Sequence, residues 1–196
     1  MQNRAEVPMV GKTGGRIRRA ATTRLVENMS EDASVIDCPK GLEPLLGYLE
    51  QLTGPASLSR LEALLRSTRM TRQDFGSFCN FGLRSYKRNV IARSRWFDLA
   101  LLCWRPGQRS PIHDHRNSAC AFRVIEGEGT ETRFELTGQG KEVHPVESHD
   151  MPEGYICAAH DGDIHDVANQ TDSDLITLHA YSPRLKMTTY PRPASV

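Results

Sequence analysis

The chain has almost no net charge, with 25 Lys and Arg against 24 Asp and Glu. That balance gives no electrostatic case for nucleic acid or an anionic membrane surface as a partner. The chain also lacks an apolar run long enough to cross a bilayer. Its N-terminus lacks the apolar stretch of a signal peptide. Closely spaced cysteine pairs are missing too. The five cysteines, Cys38, Cys79, Cys103, Cys120 and Cys157, are odd in number and form no CxxC. A reduced, cytoplasmic protein is the expectation. The GKT at Gly11–Thr13 is no phosphate loop. The glycine such a loop needs five residues earlier is Glu6, and no hydrophobic strand precedes it.

What is present fits one domain over 31–196, preceded by a flexible basic tail over 1–30 that carries Arg4, Lys12, Arg16, Arg18, Arg19 and Arg24. Leu42, Leu45, Leu46, Leu49 and Leu52 recur at spacings of three and four, which predicts a helix stopped by Gly54–Pro55. Ser59 and Glu62 have capping-box spacing ahead of Leu61, Leu64 and Leu65, and Thr71 and Asp74 repeat it. Two or three short helices over about 41–79 are therefore expected. From Tyr86 onward the chain reads as strands broken by Gly and Pro every ten residues or so, with no helical crossover between them. The fold expected is all-β, a β-sandwich (jelly roll) or closed barrel with a small N-terminal helical segment.

Seven histidines are present, and two stand at i, i+2 in PIHDHRN. In a strand, His113 and His115 share a face while Asp114 points away. A same-face pair of neutral imidazoles is a natural clamp for a borderline transition metal, although an unrelated surface HxH is common. A third histidine, His165, follows in GDIHDVAN. Further along, Leu175, Thr177, His179 and Tyr181 share one face of a strand, a mixed wall suited to a pocket. Ile176, Leu178 and Ala180 make the other face plainly apolar. His144, His149 and His160 read as surface residues, and Trp96 and Trp104 as packing residues.

Gly107 lies six residues before His113, Gly127 twelve after His115, and Gly162 three before His165. This spacing resembles the two motifs of the cupin superfamily, with Cys120 where the first motif usually has Glu. Three neutral histidines without a carboxylate leave a divalent metal its full charge, which favours a bound thiolate. Over Tyr86 to Pro183, PGQRSPIHDH and TLHAYSP together resemble the cysteine dioxygenase family of thiol dioxygenases. The resemblance implies a cupin-type barrel and Fe(II) held by His113, His115 and His165. It places Cys120 and Tyr181 on a cysteine–tyrosine thioether pair, and Thr177 and His179 on the groups that hydrogen-bond toward that tyrosine. Arg88, in YKRN, falls on the arginine that binds the substrate carboxylate, and Tyr86 on an aromatic that lines the pocket. The implied partners are a small thiol, cysteine foremost, and O2, with no nucleic acid, no membrane and a monomeric enzyme. The rivals are the same chemistry on 3-mercaptopropionate or a related thiol acid, a non-redox zinc or manganese cupin, and a cupin module that only binds small molecules.

Overall fold

A computed structural model describes residues 38–193, apart from 139, 141, 160 and 161. The expected basic tail and His160 lie outside the described residues. Three helical segments come first: α1 (Glu43–Glu50), α2 (Leu58–Ser67) and a 3-10 helix (Arg72–Phe78). The cap of α2 is Ser57 rather than Ser59. Its hydroxyl accepts the Arg60 backbone N–H at 3.4 Å. The second expected box holds, since the Asp74 carboxylate accepts the Thr71 N–H at 2.8 Å and the Thr71 hydroxyl at 2.9 Å.

Ten strands follow: β1 (Lys87–Arg93), β2 (Asp98–Trp104), β3 (Ile112–Asp114), β4 (Ala119–Glu126), β5 (Gly129–Leu136), β6 (Val143–Met151), β7 (Ile156–Ala159), β8 (Ile164–Ala168), β9 (Leu175–Ser182) and β10 (Thr188–Tyr190). They pair as two five-stranded sheets, in the orders β1-β2-β9-β4-β7 and β10-β3-β8-β5-β6. Neither sheet closes on itself. Each keeps two edge strands, so the expected all-β barrel is corrected to a mixed, cupin-like fold of two open sheets with helices. Strand periodicity reports which face is buried, not whether the last strand pairs with the first, and that is why closure was misjudged.

The helices decide how the first sheet is buried. Leu45, Leu49, Leu61, Leu64 and Leu65 pack with Leu99, Leu101, Ala121, Ile176, Leu178 and Ala180 in one apolar cluster. A second cluster on the opposite face holds Ala100, Leu102, Trp104, Cys120, Phe122, Val124 and Tyr181. Covered on both faces, β2 and β9 are buried at every position, whereas the edge strand β6 is mostly exposed. Between β4 and β5 the chain turns at Gly127, whose φ is +81°. A Cβ there would stand 2.3 Å from the Asp174 carbonyl oxygen, so only glycine fits.

Candidate metal centre

His113 lies on β3, His115 just beyond it, and His165 on β8 directly opposite His113 in register. The strand β3 is three residues long, yet the expected same-side placement holds. One ligand nitrogen from each of the three buried histidines lies within 4.8 Å of the others. The Nε2 atoms of His165 and His115 are 3.3 Å apart. Such close approach of like dipoles is what a bound cation would relieve.

The donor set fits a divalent transition metal. Burial, with His165 next in effect, pushes His113 down to about 4 and His115 to about 3, so both imidazoles are neutral ligands at neutral pH. His113 donates its Nδ1–H to the Pro111 carbonyl at 2.9 Å, and His165 shares its Nδ1 proton with Glu131 Oε1 at 2.5 Å. Both bonds leave Nε2 with a lone pair for the metal. Asp114 points elsewhere, as expected. It accepts the Tyr190 hydroxyl at 2.7 Å and the Thr188 N–H at 3.1 Å, tying β10 to β3.

A cavity of about 420 Å³, partly open to solvent, lies against this cluster between the two sheets. Its walls include Tyr86, Arg88, Cys120, His179 and Tyr181 beside the three histidines. Thr177 stands behind that wall. Trp104 Nε1 donates to Thr177 Oγ1 at 3.1 Å, Thr177 Oγ1 meets His179 Nε2 at 2.8 Å, and His179 Nδ1 meets the Tyr181 hydroxyl at 3.0 Å. Burial pushes His179 well below the ordinary histidine range, with the Arg88 charge acting the same way, so it is neutral. Burial likewise raises the Tyr181 phenol and the Cys120 thiol well above their usual values. Cys120 and Tyr181 are directly opposite each other on β4 and β9 and belong to the same buried cluster. Tyr86 stacks on Trp104, with ring centroids 4.1 Å apart.

Arg88 sits with its guanidinium carbon 5.6 Å from the Tyr181 ring centre. Its Nη2 is 2.7 Å from Oδ2 of the buried Asp98. Among the described residues, the buried Arg88 Nε has no hydrogen-bond partner.

Sequence reasoning missed the part played by three residues of this neighbourhood. Asp98 anchors Arg88. Glu131, buried at 2% exposure, touches His165. Burial pushes the Glu131 carboxyl up, but the His165 hydrogen bond and the nearby His165, His149 and Arg133 outweigh it and hold it below the usual carboxylate range. His149, expected at the surface, is partly buried and bonds the Tyr155 hydroxyl at 3.0 Å. Its Nε2 is 3.3 Å from Glu131 Oε2. The only signal for Glu131 in the sequence was a charge at an inward-facing position of ETRFEL, which looks like any edge-strand carboxylate.

Comparison with known proteins agrees with this geometry. The family model "Cysteine dioxygenase type I" matches residues 29–191. Cysteine dioxygenase type 1 of Danio rerio is 29% identical over 152 residues, covering 74% of this chain and 76% of that protein. The Homo sapiens protein of the same name is 27% identical over 151 residues, with 74% and 76% covered. A Klebsiella pneumoniae protein with a double-stranded β-helix domain aligns with a TM-score of 0.50 at 17% identity, covering 63% of this chain and 96% of that one. That last likeness concerns the fold alone.

Proposed function

The chain belongs to the cysteine dioxygenase type I family, and on that premise we infer that it is an iron-dependent thiol dioxygenase, oxidising cysteine with O2 to cysteine sulfinic acid. The observation that carries this reading is the buried cluster of His113, His115 and His165 with no carboxylate among the ligands. These three histidines would hold iron(II), which would supply the redox chemistry that adds the two atoms of O2 to sulfur.

The remaining roles fall to the chain itself. Arg88 grips the substrate carboxylate. Its buried, unpartnered Nε supports this assignment, as does its place on the wall of the cavity. Tyr86, fixed by its stack on Trp104, lines the same space. Trp104 fills one acceptor site of Thr177, leaving the threonine proton for His179 Nε2. His179 then donates Nδ1–H to the Tyr181 oxygen, and the phenolic proton is free to point into the cavity toward the substrate. Cys120 and Tyr181 form a thioether. The phenol ring gives up a C–H hydrogen and the thiol its S–H hydrogen, and O2 takes both with two electrons to become hydrogen peroxide. Their facing register and shared buried cluster support the link. A single domain over 31–196 carries the activity. The enzyme works in the cytoplasm, a placement supported by Cys79, Cys103 and Cys157 standing as thiols. Among the described residues no helix is long and apolar enough to cross a membrane.

The test is an O2-electrode assay of iron-loaded protein with cysteine, with the product identified by mass. Uptake of one O2 per cysteine and a product heavier by two oxygen atoms is expected. Faster turnover of 3-mercaptopropionate would reassign the substrate, and no O2 uptake with any thiol would refute the reading. His165→Ala abolishes both iron binding and turnover, and full iron content in that variant would overturn the ligand assignment.

A further inference from the structure

Glu131 is a buried acid that none of the roles above uses. It sits on β5 opposite Val167 of β8, with Arg133 opposite His165, so its side chain reaches His165 diagonally across the two strands. On its other flank it faces His149 of β6. The carboxylate is therefore the middle of a row running across three adjacent strands. Its contacts are unequal. Oε1 is 2.5 Å from His165 Nδ1, while Oε2 is 3.3 Å from His149 Nε2 and 3.8 Å from Arg133 Nε. The Arg133 side chain is 39% exposed, so pairing with arginine alone would leave the acid near the surface rather than turned inward.

We propose that Glu131 is the positioning residue of the metal centre: it holds His165 with Nε2 toward the metal and supplies the negative charge that none of the three ligands carries. Charge counting gives the reason. A divalent metal with one bound thiolate keeps one positive charge in a buried site. A carboxylate bonded through His165 balances that charge without occupying a coordination position, so those positions stay open for substrate and O2. Cys120 stands where a ligating glutamate would otherwise be expected, and the anion is instead one residue removed from the metal.

This inference rests on the iron-enzyme reading, and the experiment separates the two. Full-length wild type, Glu131→Gln and Glu131→Ala are compared for Fe(II) affinity by competition with a chelator. Each metal-free protein is also melted, and the His165 ring nitrogens are followed by NMR. Glu131→Gln keeps an acceptor oxygen but loses the charge. It should melt like the wild type without metal, keep the Nδ1–H form of His165, and bind Fe(II) about tenfold more weakly. Glu131→Ala should lose the fixed Nδ1–H form as well and bind Fe(II) up to about 100-fold more weakly. Wild-type iron affinity in Glu131→Gln would overturn the charge role, and an unchanged His165 tautomer in Glu131→Ala would overturn the positioning role. A wild-type protein that binds no iron would instead refute the iron-enzyme reading itself.

Discussion

Replacing Asp98 by Asn tests how the substrate cation is held. Asp98 has a side chain only 4% exposed, with Oδ2 2.7 Å from Arg88 and Oδ1 3.7 Å from Arg93. At an effective dielectric of about 20, contacts of these lengths are worth about 4–6 kcal/mol each before desolvation is subtracted. Removing one partner of a buried pair costs about 3–5 kcal/mol. Two features reduce that here. The arginine side chains are 25% and 32% exposed, so water takes over part of their solvation. The amide oxygen of Asn still accepts a hydrogen bond, recovering about 1 kcal/mol. A net loss of about 2 kcal/mol is expected, which lowers the melting temperature by about 4–8 °C in a domain of this size. The kinetic effect is separate. Without its anchor, Arg88 no longer presents a fixed guanidinium, and KM for cysteine should rise about tenfold, equivalent to about 1.4 kcal/mol. The value of kcat should hold, because Arg88 does not touch the sulfur. Cysteamine, which has no carboxylate, should be turned over equally by both proteins. Steady-state kinetics on both thiols, with thermal melts, make the check. A lowered melting temperature with an unchanged KM for cysteine would refute the idea that Arg88 binds the carboxylate.

Trp104→Phe leaves Thr177 without its donor and should cost about 1–3 kcal/mol of stability by thermal melting, lowering kcat while iron content holds. Cys120→Ser should abolish the mass deficit of two hydrogens that marks the thioether in the intact protein, and persistence of that deficit would exclude Cys120 as the partner. Leu61→Ala, at a fully buried position on α2, should cost about 2–5 kcal/mol, with bound iron per folded molecule unchanged.

Much of the centre could be read before any coordinates. His113, His115 and His165 stood out because metal ligation demands a few residue types at spacings that strands translate into shared faces. The two faces of β9 were equally legible, since Ile176, Leu178 and Ala180 do pack under the helices while Tyr181 joins the opposite cluster. Glu131, Asp98 and His149 were not legible. Each is an ordinary polar residue in a strand or at its end, and its partner lies on a different strand whose register the sequence does not state. Helix α2 is capped by Ser57 rather than Ser59 because two serines can each cap, and the Tyr48 hydroxyl, which accepts the Ser57 N–H at 2.9 Å, favours the earlier one. The fold class failed on a question of strand partners at the sheet edges, which no local pattern encodes.

The alternation on β9 has a consequence for how this enzyme can be altered. Neighbouring residues of one strand serve two different audiences: His179 and Tyr181 line the reaction chamber with Thr177 behind them, and Ile176, Leu178 and Ala180 form the floor on which the helices rest. A methyl group added or removed at the fully buried Leu178 or Ala180 strains a close-packed strand, and Tyr181 is carried on that same strand. The helical layer therefore provides remote adjustment points, and selection for altered turnover should recover substitutions there that contact neither metal nor substrate.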